Sequence, residues 1–454
     1  MKETGKLSFR EKFGFGVFAG GYNLVYLFKG SYYLFFLTNV LGISIAAAGT
    51  LVAAGAVWDA VNDPLIGYWT VNHPNRKGEH IRYSLLYFAV PVAICYLLLF
   101  TNFHVSDALT IIIAGLAFFV YDTMFTFFGI GYSTMCIVAT DDQADRTSLN
   151  IFRSFGSNIG TIIGTLACFP LLNLFGALDA DGNLIPGNAD RGFFIVAAIF
   201  AGIAIFSSLF HYFTTKERIR PHDESQHVGF FQMLKDLFSY AQFDLCTVQI
   251  MAYNVIILIM QSVITYYATY INGSSAMSTT YLAAYLVGML LSTALLTKPL
   301  DNKLGHKKTM VIGALLFCVS KIPFILAPTN MICAIINFAV SGIGGALLFV
   351  TIFVYYSNIG DIIEYRCGKR MDACLGTVSG FIMVIASAIA TEVIALSLDK
   401  AGFDAELASQ PEAALTTINN MLGWIPLALS VLMLVVTIFI SIDKDMKKMK
   451  EAQA

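Results

Sequence analysis

Trp58-Asp59-Ala60-Val61-Asn62-Asp63-Pro64 sets two carboxylates and an amide inside an otherwise apolar stretch running from Ile43 to Trp69. At helical spacing Asp59 and Asp63 are i and i+4, so they share one face, with Asn62 beside them. A charge at the centre of a bilayer costs roughly 2.5–3.5 kcal/mol on insertion scales. Two like charges one turn apart therefore call for a counter-ion, a proton or a polar cavity. The stretch predicts a membrane-spanning helix with a buried cation or proton site, as a transporter has. The plainer alternative is that the acids accept interhelical hydrogen bonds or pair permanently with a basic residue.

Composition points the same way. Of 454 residues 57% are hydrophobic and only 13% charged, and the mean hydropathy is +0.70. Soluble domains carry about 25% charged residues, so these values indicate membrane. A net charge of −2 gives no reason to expect nucleic acid. The eight cysteines form no metal-ligand pattern and read as reduced core residues. No small-residue cleavage site follows Met1-Lys2-Glu3-Thr4-Gly5-Lys6, so no removable signal peptide is expected.

Hydropathy resolves into twelve candidate spans, near 13–40, 44–71, 81–101, 107–138, 149–175, 190–214, 242–271, 276–298, 308–328, 332–361, 371–398 and 416–441. Long continuous apolar runs call for helices rather than a barrel. An even number of crossings puts both termini on one side, and 23 of the 28 Lys and Arg fall there. Only Arg191 and Lys400 lie opposite, while Lys29, Arg153 and Lys321 lie within spans. By the positive-inside rule both termini are cytoplasmic in a multi-pass protein of the cell membrane.

The charged stretch Lys216-Glu217-Arg218-Ile219-Arg220-Pro221-His222-Asp223-Glu224-Ser225 separates six spans from six. The expected organisation is an N-terminal bundle over 1–215, a cytoplasmic linker over 216–240, and a C-terminal bundle with a cytoplasmic tail over 241–454. Each half has a short basic, Gly-containing turn after its second span: Asn75-Arg76-Lys77-Gly78 … Arg82, and Asp301-Asn302-Lys303-Leu304-Gly305-His306-Lys307-Lys308. This resembles the major facilitator superfamily, whose parallel halves enclose a substrate site near the midplane. The fold class expected is therefore all-α integral membrane, with twelve transmembrane helices in two pseudo-symmetric six-helix bundles.

Further segments narrow the resemblance. Gly14-Phe15-Gly16, Asn23-Leu24-Val25, Leu41-Gly42, Gly49-Thr50-Leu51 and Trp58 through Gly67 are similar to the glycoside–pentoside–hexuronide:cation symporters, the melibiose-permease family. So are Asp141-Asp142 … Arg146-Thr147-Ser148-Leu149-Asn150 … Arg153, Ala252-Tyr253-Asn254, Tyr266-Tyr267, and Asp361 … Glu364-Tyr365 … Gly368-Lys369-Arg370. The resemblance implies Na+- or H+-coupled movement of a sugar or glycoside by alternating access. It puts the cation, Na+ if a metal, at Asp59, Asn62 and Asp63, whose oxygens suit a hard ion.

The departures bear on specificity. The family's span-one sugar-binding acid falls on Asn23, and its span-four acid on Phe128. Its span-four hydroxyl falls on Phe125, with Thr123 and Thr126 near, and its span-eleven lysine on Val384. Arg153 and the aromatic position Tyr132 are kept. Without its carboxylates the clamp disfavours a galactoside, and an uncoupled facilitator or a proton-coupled carrier of a non-sugar solute stays open.

Lys29 lies mid-span, too far from either end to snorkel. A rise of 1.5 Å per residue puts Lys29, Asp59 and Asp122 within roughly 5 Å in depth. Lys29 is therefore expected to pair with Asp59 or Asp122, either partly replacing a metal ion and favouring proton coupling or none, or as a permanent structural pair. Asp122 is alternatively a substrate or proton ligand. Arg153 can clamp a carboxylate or bridge sugar hydroxyls, or pair with Asp59 or Asp122. Tyr22, Tyr26, Tyr132 and Tyr253 are candidate cavity residues, since sugar faces stack on rings. Lys321 and Glu392 are expected to snorkel. Asp361, Glu364, Arg366, Lys369 and Arg370 are expected to form inter-bundle gating salt bridges. No Gly-x-x-x-x-Gly-Lys-Ser/Thr loop serves a nucleotide, and all seven histidines lie at loops or span ends, so no enzyme, cofactor or nucleotide is expected.

Overall fold

The computed structural model describes residues 7–72, 79, 81–140, 143–218, 238–367, 372–405, 407 and 409–453. The described chain is helical apart from one isolated bridge, Leu178–Leu184. Nine of its described helices are long and apolar enough to cross a membrane, or ten if a bent pair counts as one span. Two of the expected spans of the N-terminal half are broken. The third is split into α3 (Arg82–Tyr87) and α4 (Ala89–Leu99). The fifth is split into α6 (Gln143–Leu166) and α7 (Cys168–Leu174), bent by 53°. Pro91 and Pro170 explain both: each lacks an N–H, and its ring clashes with the carbonyl four residues back. Those residues, Tyr87 and Leu166, are the last of α3 and α6.

The chain forms two compact units. The first comprises residues 1–224, 273–279 and 403–409. It includes α1 (Phe9–Asn39), α2 (Ile45–Asn72), α5 (Asp107–Ala139) and α8 (Ala189–Thr214) besides the four above. The α1–α6 contact is the most intimate. A methyl added at Gly156, Gly160 or Gly164 would overlap the carbonyl oxygens of Gly16, Gly20 and Leu24 respectively. Small residues at every fourth position let two backbones touch, as membrane helices do in place of hydrophobic collapse. A buried aromatic cluster (Phe28, Phe36, Phe100, Phe193, Phe200) ties α1, α8 and the segment just past α4 together, with Phe28–Phe100 centroids 4.9 Å apart. On α5, Leu109, Ile112, Leu116 and Val120 form an exposed apolar stripe, while Phe118, Tyr121, Phe125 and Phe128 are buried. The stripe suits lipid contact, and the opposite face builds the site.

The second unit comprises residues 225–272, 280–402 and 410–454. It contains α9 (Ala241–Tyr270), α10 (Met277–Leu291) with a π-helical turn at Ser292–Thr297, α11 (Lys298–Leu304), α12 (His306–Leu326) and α13 (Met331–Cys367). It continues through α14 (Asp372–Lys400), α15 (Glu412–Leu422), α16 (Trp424–Phe439) and α17 (Ile442–Gln453). Lys307 donates to the terminal carbonyls of Ile438 and Ile440 at 2.6 and 2.7 Å, closing the end of α16. Asp443 and Asp445 on α17 accept from Tyr355 (2.9 Å) and Tyr240 (2.8 Å), holding that helix against α13 and the start of α9.

Lys321 corrects an expectation. It does not snorkel but is fully buried, donating at 2.8 Å to both Asn337 Oδ1 and Ser341 Oγ on α13. Those two polar side chains, one turn apart on a facing helix, offer the ammonium oxygens that water would otherwise supply.

Candidate cation and substrate site

Helix α2 carries Asp59, Asn62 and Asp63, and α5 packs beside it closely enough that a methyl on Gly55 would overlap the Phe118 ring. Two polar rungs cross this contact. Trp58 Nε1 donates to Thr123 Oγ1 at 3.0 Å. One turn on, Asn62 Nδ2 donates to Thr126 Oγ1 at 2.9 Å, and Thr126 Oγ1 lies 2.8 Å from Asp63 Oδ1. The Thr126 hydroxyl has one proton, shared between Asp63 and the Asp122 carbonyl oxygen at 3.0 Å. Asn62 is buried, Asp59 half-buried and Asp63 exposed. Among the described residues no basic group lies within ion-pair distance of Asp59 or Asp63. Asp63 Oδ2, the Asp59 carboxylate, Asn62 Oδ1 and a Thr126 lone pair form an oxygen-rich patch able to hold a hard cation or a proton. Among the described residues no group of three or more His, Cys, Asp or Glu is placed to hold a metal ion.

Lys29 of α1 resolves its two expected partners in favour of Asp122. Its Nζ lies 2.6 Å from Asp122 Oδ1 and 4.5 and 4.9 Å from the Phe118 and Tyr121 ring centroids. The Asp122 carboxylate, an expected substrate or proton ligand, is thus occupied by an ammonium. Asp122 and Thr126 are i and i+4 on α5, so one face serves both the ion pair and the α2 acids.

The expected aromatic residues of α1 and α5 come together. Tyr22 stacks between Phe125 (4.7 Å, 16°) and Tyr132 (4.5 Å, 6°), and Tyr26 continues the wall one turn on, 6.3 Å from Tyr22 at 8°. Tyr26 is 51% exposed and presents an open ring face. Phe125, where the family's span-four hydroxyl falls, belongs to this wall; of the two nearby hydroxyls, that of Thr126 meets Asp63 and that of Thr123 meets Trp58. Arg153 lies over Tyr132, Cζ 5.2 Å from the centroid, with Nη1 3.4 Å from the Tyr132 carbonyl oxygen. It pairs with neither Asp59 nor Asp122. Asn23 turns its amide back to the Ala19 carbonyl oxygen (3.0 Å), and Phe128 packs edge-on against Phe18 (5.0 Å).

Tyr253 lies in the second unit, its hydroxyl 3.3 Å from that of Tyr285. In the expected gating cluster Asp361 is exposed, and Arg366 lies 4.4 Å from the Tyr240 ring within the same unit. The Glu364 side chain, Lys369 and Arg370 lie outside the described residues.

Known proteins agree with this architecture. A bacterial homologue of the human lysosomal transporter Spinster superposes with a TM-score of 0.68 over 97% of this chain and 98% of its own, at 13% identity. The nucleoside transporter NupG gives 0.67 over 94% and 99%, at 11% identity. At such identities these matches establish the fold alone. In sequence, the uncharacterized symporter YnaJ of Bacillus subtilis is 29% identical over 98% of this chain and 94% of its own. The isoprimeverose transporter of Lactiplantibacillus pentosus is 25% identical over 97% and 90%. The putative glycoside/cation symporter YagG of Escherichia coli is 26% identical over 93% and 90%. These relatives are transporters, not enzymes, and a family model described as MFS/sugar transport protein matches residues 13–444. The chain is a multi-pass membrane transporter belonging to the sugar-transport branch of the major facilitator superfamily, as its likeness to the glycoside–pentoside–hexuronide symporters implied.

Proposed function

We propose that this protein is a secondary active symporter of the cell membrane, both termini cytoplasmic, that couples entry of a sugar or glycoside to Na+ or H+ by alternating access. One observation carries the reading: Asp59 and Asp63 share a helix face beside Asn62 and Thr126, while the nearby ammonium of Lys29 is engaged by Asp122. A permanent counter-ion for the α2 acids would have made the site structural. With none beside them among the described residues, two acids at membrane depth call for an exchangeable charge. The sugar side is supported by the aromatic wall and by the relatives named for isoprimeverose and for glycosides.

A second reading, an uncoupled facilitator, draws on Phe125 and Val384 standing where coupling residues were expected. Proteoliposomes given isoprimeverose and a panel of methyl glycosides, with a Na+ gradient, a pH gradient or neither, separate the two. Under the symport reading one gradient drives accumulation of a probe, and Asp59→Asn with Asp63→Asn abolishes accumulation while sparing equilibrative exchange. Equal uptake with and without gradients establishes the facilitator instead.

A further inference from the structure

We propose that the buried Lys321 ammonium of the second unit, with the Asn337 amide, holds a small monovalent anion, chloride, between α12 and α13. Lys321 and Asn337 are 0% and 1% exposed. A lysine taken fully out of water is ordinarily paired with a carboxylate. Here the sequence supplies none. Helix α12 packs against α13 and α16, and α12, α16 and the part of α13 from Met331 to Ile352 contain no Asp or Glu. Helix α9 reaches this end of α12 through Tyr267, whose hydroxyl donates to the Pro328 carbonyl oxygen at 2.7 Å. The acid of α9 is Asp244, at the other end of that helix and roughly 35 Å away at 1.5 Å per residue. Among the described residues, Glu392 of α14 included, no carboxylate lies within ion-pair distance of Lys321.

Donors also outnumber acceptors in this cluster. Two of the three ammonium N–H bonds go to Asn337 Oδ1 and Ser341 Oγ at 2.8 Å each, and the Phe317 ring, its centroid 5.6 Å from Nζ, is a distant acceptor for the third. Ser320 donates to the Phe317 carbonyl oxygen at 2.7 Å, so it accepts in its 3.0 Å contact with Ser341, whose proton is spent there. Asn337 must turn Oδ1 to the ammonium, because the reverse orientation would set N–H against N–H. Its Nδ2 is then buried with no acceptor among the described residues. Every side chain of α9, α12 and α16, and of α13 as far as Ile352, is among those described. Nδ2 belongs to the same amide as Oδ1 and so lies within roughly 5 Å of Nζ, close enough for one ion to touch both. Water could accept from these donors but would leave the charge uncompensated. Chloride accepts from any direction and needs less room than an oxyanion. Enclosed as the cluster is, the ion is a resident of the fold and not a carried solute.

The test is thermal unfolding of the purified full-length protein in nanodiscs at fixed pH, with sodium chloride exchanged for sodium gluconate so that Na+ and ionic strength stay constant. Chloride should raise the melting temperature saturably, by several degrees, because an ion bound by the folded state alone stabilises it by mass action. Radioactive chloride should bind the parent, and Lys321→Met should abolish that binding. Asn337→Asp places a carboxylate within reach of the ammonium. It should melt in gluconate as the parent does in chloride and gain nothing from added chloride, which keeps the test decisive if Lys321→Met does not fold. Equal melting of the parent in the two salts, with no chloride bound, overturns the proposal. A chloride response that survives Asn337→Asp marks an adventitious ion only and overturns it too. If the parent's stability follows pH and ignores chloride, the amine is neutral and the proposal again falls.

Discussion

Replacing Lys29 with Met removes an ammonium 2.6 Å from Asp122 Oδ1 while keeping an unbranched side chain of similar reach. The two side chains are 16% and 5% exposed, so the pair is shielded from water. At an effective dielectric of about 20, two charges in contact attract by roughly 4 kcal/mol. The Phe118 and Tyr121 rings beside the ammonium add about 0.5–2 kcal/mol. Both ions gave up hydration to meet, so the net value of the pair is much smaller than that sum. The large term is what one partner's removal leaves behind, an unpaired buried carboxylate costing about 3–5 kcal/mol. Lys29→Met should therefore destabilise by about that amount, and adding Asp122→Asn should recover most of it, to within about 1.5 kcal/mol of the parent. The assay is reversible unfolding of the full-length protein in mild detergent, run as a double-mutant cycle with both single variants. A Lys29→Met protein as stable as the parent would mean that the ammonium is solvated. A double variant as weak as the single one would mean that packing against Phe118 and Tyr121, not charge, was lost. Either result refutes the pairing.

Three shorter tests address other links. Thr126→Val, close in shape to threonine, leaves the buried Asn62 amide without its acceptor and should cost about 1–3 kcal/mol; if Thr126 lines the ion site, ion-dependent thermal stabilisation should vanish in Val and persist in Thr126→Ser. Gly160→Ala pushes a methyl into the Gly20 carbonyl oxygen and should cost about 1–3 kcal/mol in melting experiments, whereas Gly202→Ala, with open space around it, should cost little. Burial raises the Glu11 carboxyl, but the Ser8 N–H at 2.9 Å and the Arg218 guanidinium at 2.6 Å outweigh it and hold the group below its ordinary value of 4.5. A depressed carboxylate stabilises fully above its unfolded value and loses that contribution as pH falls through the folded one, so the parent should lose stability below about pH 4.5 by a margin that Glu11→Gln does not share.

What the sequence disclosed, and what it withheld, follows from geometry. The shared face of Asp59, Asn62 and Asp63 was legible because the three sit on one helix, where spacing alone fixes it. The partner of Lys29 was legible only to within two acids. Rise per residue gives depth along the membrane normal, but choosing between Asp59 and Asp122 needs the rotation of α5 against α2. That rotation belongs to tertiary packing, which no periodicity encodes. Thr126 was named as a hydroxyl near Phe125, and its face was legible too: it lies four residues from Asp122, so any argument that points Asp122 toward Lys29 carries the threonine to the same face. Pro91 and Pro170 likewise announced the breaks that hydropathy, which averages over windows, ran through.

Lys321 shows the same limit from the opposite side. Depth placed it near a span end, where the long stem of a lysine can reach water, and snorkelling followed. Direction decides otherwise: on α12 the residue points at α13, where Asn337 and Ser341 repeat at i and i+4 on an otherwise apolar stretch. A polar pair one turn apart in a membrane helix is itself a signal that something across the interface needs oxygen, as Asp59 and Asp63 are on α2. The difference between the two sites is closure. The Asn337 and Ser341 oxygens are already engaged by Lys321 and are buried, so they are spent within the protein. Among the described residues no fixed cation lies against Asp59 or Asp63, and Asp63 is exposed. Buried polar groups in a bilayer-spanning fold must be satisfied, and those that the protein leaves unsatisfied on an accessible face are where a transported ion can bind and leave.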